Sequence, residues 1–355
     1  MRKSARIAIF LAILSTMFGI VLCYFPIEKA HAESGYSEIV IERGTRRVLF
    51  ENKSRIRLPM ASTTKIATCV TAIENYSGEL GDRVTVPDCA VGIEGSSLYL
   101  KKDESLTFCD LLYGLMLRSG NDCAVSIAVL TAGSVEKFAA LMNETARKAG
   151  ATDTNFTNPH GLHDERHYTT AFDLALITAY AMENEIFRQI VSAKRYELNR
   201  SSDDCGRIIL NKNKILYSYE GADGVKTGYT KKAGRCLVSS STRANMSVIA
   251  VTLNCGPMYS ECARLMDYAF DNYEMRNLTP EGTLSYCCDE KGEKTFALGA
   301  KENFLYPVKK AGERVGYSVR DVKTISRDAK TGDENGKLDI FIDKRLIFSQ
   351  KLFII

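Results

Sequence analysis

Leu58-Pro59-Met60-Ala61-Ser62-Thr63-Thr64-Lys65-Ile66 sets a serine and a lysine three residues apart, where an apolar run begins that continues to Ile73. The run predicts a helix, and helical residues three apart stack on one face, so hydroxyl and amine meet at one spot. A serine needs a base beside it to become a useful nucleophile. A lysine serves as that base only when desolvation or a neighbouring cation lowers its pKa. The helix N-terminus adds backbone N–H groups suited to an oxyanion.

An S-x-x-K string alone is weak, because Ser134-Val135-Glu136-Lys137 matches it on what reads as a surface helix. Two further stretches raise the signal. Ser119-Gly120-Asn121 reads as a loop after a helix, and Lys226-Thr227-Gly228 follows Gly221-Ala222-Asp223-Gly224 and leads into β-rich sequence, which predicts a strand edge facing a cleft. K-T-G also recurs at Lys330-Thr331-Gly332, inside the polar run Arg327 to Glu334, which reads as a turn. The ordered set of S-x-x-K, S-x-N and K-T-G is far more specific than any member.

Around these motifs, Ile39-Val40-Ile41 and Val48-Leu49-Phe50 flank a polar turn at Arg43-Gly44-Thr45 and predict a hairpin. Apolar residues at three-and-four spacing predict helices over Thr107 to Leu117, Asp122 to Leu130 and Val135 to Ala149, the last capped by Gly150. Cys236-Leu237-Val238 and Ser247 to Val251 predict strands before a final helix from Glu261 to Tyr273. Strands at both ends bracketing a helical middle predict an α+β fold, one antiparallel sheet with helices on its faces. Leu278-Thr279-Pro280-Glu281-Gly282 reads as a linker, and alternating runs such as Lys337 to Ile342 predict a small all-β domain beyond it.

The 355 residues are 45% hydrophobic and 25% charged, which is globular composition, and the net charge of +4 without a long basic run argues against nucleic-acid binding. Arg2, Lys3 and Arg6 precede an apolar run from Ile7 to Phe25, then Pro26 and Ala30-His31-Ala32. That order predicts a signal peptide over 1–32 with Glu33 as the first mature residue, hence an exported, extracytoplasmic protein at the cell wall or membrane surface. The length of the run leaves an uncleaved anchor, and so membrane association through the N-terminal segment, as the alternative. The 11 cysteines are scattered, and Cys69, Cys109 and Cys123 read as small core residues. His160, His163 and His167 are spaced as three possible ligands, but the first sits between Pro159 and Gly161, so no metal is expected.

In longer stretches the chain resembles the low-molecular-weight penicillin-binding proteins, the serine-type D-alanyl-D-alanine carboxypeptidases. These are Leu58 to Ile66, Leu111 to Asp122, Asp223 to Thr230, and Asn158-Pro159-His160-Gly161-Leu162 with His167-Tyr168 and Asp173-Leu174. The resemblance implies a catalytic domain of the penicillin-binding/serine β-lactamase type over 33–275, an antiparallel sheet with a helical subdomain, followed by a β-rich domain over 276–355. It implies that Ser62 attacks the carbonyl between two D-alanines, Lys65 takes its proton, and Ser119 relays a proton to the leaving amine. Asn121 then binds the substrate amide, Lys226 and Thr227 hold the terminal carboxylate, and the N–H groups of Ser62 and Tyr229, the latter beside Gly228, form the oxyanion hole. Peptidoglycan stem peptides are the implied partners, β-lactams the implied covalent inhibitors, and no cofactor is implied. A D,D-endopeptidase shares this chemistry, and a penicillin-sensing or wall-binding protein shares the fold, but Lys65, Ser119 and Lys226 are all intact. No E-x-x-L-N string follows the second motif, which argues against a class A β-lactamase. Members of that family often end in an amphipathic helix, whereas the stretch up to Leu352-Phe353-Ile354-Ile355 reads as β, so membrane anchoring through it is not expected.

Overall fold

In a computed structural model, residues 36–201 and 207–355 are described, so the expected signal segment lies outside the described residues. β1 (Ser37–Glu42) and β2 (Val48–Asn52) form the predicted hairpin. Its turn is closed by the Glu42 carboxylate, which accepts from the N–H groups of Gly44 (3.0 Å) and Thr45 (2.7 Å). Two short pairs follow in the helical region, β3 (Arg83–Thr85) with β4 (Ser105–Thr107) and β5 (Arg195–Glu197) with β6 (Ile208–Leu210). β7 (Ala222–Thr230), β8 (Gly234–Arg243) and β9 (Met246–Leu253) complete a five-stranded antiparallel sheet in the order β2-β1-β9-β8-β7. The two ends of this region therefore share one sheet, as the sequence pattern predicts, and β7 is left as an edge.

Both faces of the sheet are covered, which explains why its strands read as continuous apolar runs. Ile39, Ile41, Val238, Ile249 and Val251 join the core under the helical region, whereas Val40, Leu49, Leu237, Val248 and Ala250 pack on the helix Met258–Asn272. The helix Lys65–Asn75 runs through the first core and is buried without a break from Lys65 to Ala72. The expected helix over Thr107 to Leu117 departs from a regular form. A capping box between Thr107 and Asp110 starts Phe108–Tyr113, but the chain then widens into a π-turn over Gly114–Arg118 and ends at Ser119 with φ +65°. Such widened turns cluster at functional sites.

β10 (Tyr273–Asn277) leaves that last helix across the expected 275/276 junction and pairs with a strand further on. The remaining strands are β11 (Ser285–Cys288), β12 (Thr295–Ala300), β13 (Leu305–Lys309), which is the partner of β10, β14 (Val315–Arg320), β15 (Glu334–Ile342) and β16 (Arg345–Ile354). A second sheet, ordered β11-β12-β16-β15-β14, has its own core of Leu298, Val308, Leu338, Ile340, Leu352 and Ile354. Leu278 belongs to that core and Thr279 is buried beside it, so the expected linker starts as packed structure because its first side chain is apolar. Cys287 is buried and Cys288 exposed, on opposite faces of β11. Arg47, in the turn between β1 and β2, ties that hairpin to the β10–β13 pair: its guanidinium pairs with Glu313, donates to the Pro307 carbonyl and lies 5.2 Å from the Tyr306 ring centroid.

Candidate active site

A short 3-10 turn, Ala61–Thr64, delivers the chain into the helix Lys65–Asn75. Ala61 has φ +48°, the left-handed region that residues with a side chain avoid, and it stands immediately before Ser62. Two hydroxyls hold the turn: Thr63 Oγ1 donates to the Met60 carbonyl (2.7 Å) and Thr64 Oγ1 to that of Ala61 (2.8 Å).

Lys65 is completely buried, and its Nζ has three neighbours: Ser62 Oγ at 3.0 Å, Asn121 Oδ1 at 2.7 Å and the His160 carbonyl at 2.7 Å. The last two are pure acceptors. A neutral amine has two N–H donors and one lone pair, so its hydrogens satisfy Asn121 and His160 and its lone pair faces the Ser62 hydroxyl. Burial first, and then the charge of Lys226, hold the Lys65 ammonium well below the usual lysine range. This is the environment in which a lysine accepts a proton from serine.

Ser119 closes the π-turn, and the helix Asn121–Ala132 follows at once. Asn121 is fixed from both ends: its N–H donates to the Ser96 carbonyl (2.7 Å) and its Nδ2 to that of Glu94 (2.5 Å). The buried Asp122 carboxylate accepts from Ser97 Oγ (2.6 Å) and from the N–H groups of Leu98 and Leu100 (3.0 Å each). The loop over 94–100 is thereby pinned beside the second motif.

Lys226 and Thr227 lie on β7, whose free edge packs against the Ala61–Thr64 turn. A Cβ on Gly228 would stand 3.0 Å from both the Met60 carbonyl oxygen and the Ser62 nitrogen, so only glycine lets the strand and the Ser62 turn approach this closely. Tyr229 directs its ring to solvent, leaving its backbone beside the same approach. Lys226 is buried, donates to the Thr227 carbonyl at 3.0 Å, and is drawn down to about 7, first by burial and then by the charge of Lys212.

The structure thus brings Ser62, Lys65 and Asn121 into contact and lays the strand of Lys226 and Thr227 against the Ser62 turn, with Ser119 two residues before Asn121, and sequence reading missed several of their supports. The His160 carbonyl is a partner of Lys65 that no side-chain motif announces. Gly161, at φ +87°, lets that loop lie against Ala61 and Thr64, where any Cβ would collide with the Ala61 carbonyl. Lys212 is tied to the segment before Ser119 through its N–H to the Leu117 carbonyl (3.2 Å). Among the described residues no group of three or more His, Cys, Asp or Glu is placed to hold a metal. His160 Nδ1 instead accepts from the Leu162 N–H (3.1 Å), and both ring nitrogens of His167 have protein partners.

Residues 27–256 match the D-alanyl-D-alanine carboxypeptidase family, more than half the chain. The chain belongs to that family. It is 31% identical over 317 residues to D-alanyl-D-alanine carboxypeptidase DacF of Bacillus subtilis, covering 86% of this chain and 81% of the relative. It is 32% identical over 336 residues to DacC of Escherichia coli, covering 89% and 82%. Among solved structures, penicillin-binding protein 5 from Haemophilus influenzae superposes with a TM-score of 0.73 at 28% identity, over 90% of this chain and 96% of that one. The Streptomyces K15 DD-transpeptidase, solved as a serine-to-alanine mutant, gives a TM-score of 0.62 at 31% identity, over 66% of this chain and 97% of that one. The carboxypeptidase family is one of serine peptidases, and this chain is one of them.

Proposed function

We propose that this carboxypeptidase removes the terminal D-alanine of peptidoglycan stem peptides through an acyl-enzyme on Ser62. The observation that carries the reading is the Lys65 amine, buried and turned by two acceptors so that its lone pair meets the Ser62 hydroxyl. Lys65 takes the proton as Ser62 Oγ bonds to the carbonyl carbon between the two D-alanines. The N–H groups of Ser62 and Tyr229 stabilise the oxyanion. The C–N bond breaks as the proton held on Lys65 is relayed through Ser119 to the departing D-alanine amine, which leaves Lys65 neutral again, and Asn121 holds the substrate amide throughout. Water then repeats the sequence against the ester and frees Ser62. Lys226 and Thr227, with the field of Lys212 behind them, hold the terminal carboxylate, so only chain ends are cut. β-Lactams enter the same site and stay on Ser62.

The enzyme acts outside the cytoplasm, with 1–32 removed as a signal peptide, 33–275 forming the catalytic unit and 276–355 a β-rich appendage. Mass spectrometry of the exported protein is expected to find Glu33 at the N-terminus, and Met1 retained in membrane fractions overturns the cleavage. The activity itself is tested with two peptides. The mature protein releases D-alanine from one ending in D-Ala-D-Ala and no alanine from one ending in L-Ala-L-Ala. Equal rates on both would sink the carboxypeptidase reading.

A further inference from the structure

Behind the nucleophile turn lies a buried imidazole to which the reaction above assigns no task. The Thr157 N–H donates to His167 Nδ1 (3.1 Å), so that nitrogen is unprotonated and the ring proton resides on Nε2. Nε2–H donates in turn to Thr64 Oγ1 (2.8 Å), and the Thr64 hydroxyl donates to the Ala61 carbonyl (2.8 Å). The chain of donors therefore ends on the residue with φ +48° that directly precedes Ser62. The ring is anchored besides by Phe156, edge to face at 5.7 Å, and by the His167 N–H to the Asp164 carbonyl (2.9 Å). Burial holds the imidazole down to about 4, so it stays neutral at working pH and keeps this direction of donation.

We propose that His167 is a positioning residue for acylation: as the neutral Nε2–H tautomer it fixes, through Thr64, the left-handed Ala61 that aims Ser62 at the substrate. The hydroxyl of Thr64 has a single hydrogen; because Nε2–H donates to its oxygen rather than accepting from it, that hydrogen stays committed to the Ala61 carbonyl and the hydroxyl is held in one rotation. Without His167 the Thr64 hydroxyl is free to turn, and Ala61 relaxes toward an ordinary conformation. A displacement of about 1 Å at a nucleophile costs on the order of 10²-fold in rate.

The inference rests on Ser62 being the acylated residue, and the test separates the two. The full mature chain is reacted with fluorescent penicillin at neutral pH, and the acylation rate constant and the preceding non-covalent affinity are measured separately. His167→Leu is expected to lower the rate constant by about 10- to 100-fold with affinity within about twofold of wild type. Thr64→Val should lose as much, and His167→Leu/Thr64→Val no more than either single change, because the two act as one unit. His167→Gln restores the rate to within about threefold, since an amide accepts from Thr157 and donates to Thr64 with no titrating ring. This conservative variant, together with thermal melting of the wild type and all four variants, separates a loss of aim from a loss of fold. Wild-type acylation with an unimpaired His167→Leu, or strictly additive losses, overturns the positioning role and leaves the reaction intact. Failure of the wild type to acylate on Ser62 overturns the reaction itself.

Discussion

Two motifs in this chain each occur twice, and the two copies have unlike fates. Ser62 to Lys65 and Ser134 to Lys137 both read S-x-x-K at a helix start, yet Lys65 is completely buried whereas Lys137 is exposed. Ser134 serves only as an N-cap, its Oγ accepting the Lys137 N–H at 3.2 Å, while Ser62 leaves its hydroxyl to a lysine amine. The two K-T-G copies diverge in the same way. Lys226 is buried on the edge strand that packs against the Ser62 turn, whereas the exposed Lys330 sits in a turn closed by its own N–H to Asp333 Oδ2 (2.8 Å) and by Gly332 at φ +102°. Desolvation, which acts on one member of each pair, is what lowers the pKa of Lys65 and of Lys226 and fits them to the roles proposed above.

The contrast is sharpest at the serines. Ser62→Ala should abolish fluorescent-penicillin labelling, a loss on the order of 10⁴-fold or more given how nucleophile and base act together. Ser134→Ala should label at the wild-type rate and lower only the melting temperature, through about 1 kcal/mol of lost capping. The lysines come next. Lys65→Ala and Lys65→Arg should each cost more than the roughly 10²–10⁴-fold typical of general-base removal, because arginine does not deprotonate in a protein. Lys137→Ala should acylate normally, and if it alone killed acylation the two motifs would have to exchange roles.

Lys226 offers a pH test. Its ammonium, drawn down to about 7, is charged below that pH and neutral above it. The kcat/KM for a peptide with a free terminal carboxylate should therefore fall as pH rises through about 7, and an ester lacking the carboxylate should not show that limb. Lys226→Ala should remove the limb and lower kcat/KM on the peptide by about 10- to 100-fold, the worth of one hydrogen bond to a charged group. Lys330→Ala should leave the whole profile unchanged. The smallest effect belongs to the glycines. Gly228→Ala places a methyl 3.0 Å from the Ser62 nitrogen and should slow acylation about tenfold, whereas Gly332→Ala should cost about 1–3 kcal/mol of stability and no activity.

The period of the apolar residues made the main sheet, most of the helices and the β-rich tail legible, because burial of one face or both writes itself into side-chain order. It did not disclose the π-turn before Ser119, since Gly114 to Arg118 keeps a helical pattern while the backbone widens. Nor did it disclose the left-handed Ala61, because alanine carries no turn signal and the conformation is held by Thr64 and by Gly161, 100 positions along the chain. The spacing of His160, His163 and His167 raises only the question of a metal, which the loop around Pro159 argues against; the His160 carbonyl on Lys65 and the His167 ring on Thr64 have no sequence signature.

By itself, then, the sequence determined which chemical groups are present and in what order: a serine with a lysine one helical turn away, a second serine with an asparagine, and a lysine on a strand. Only the tertiary structure decided which copy of each string is buried, which charges stand next to it, and which lone pair faces which proton. Those properties depend on groups brought together from 56 and 95 residues away, as Asn121 and the His160 carbonyl are brought to Lys65. A lysine's pKa is a property of its surroundings, and no short string contains its own surroundings.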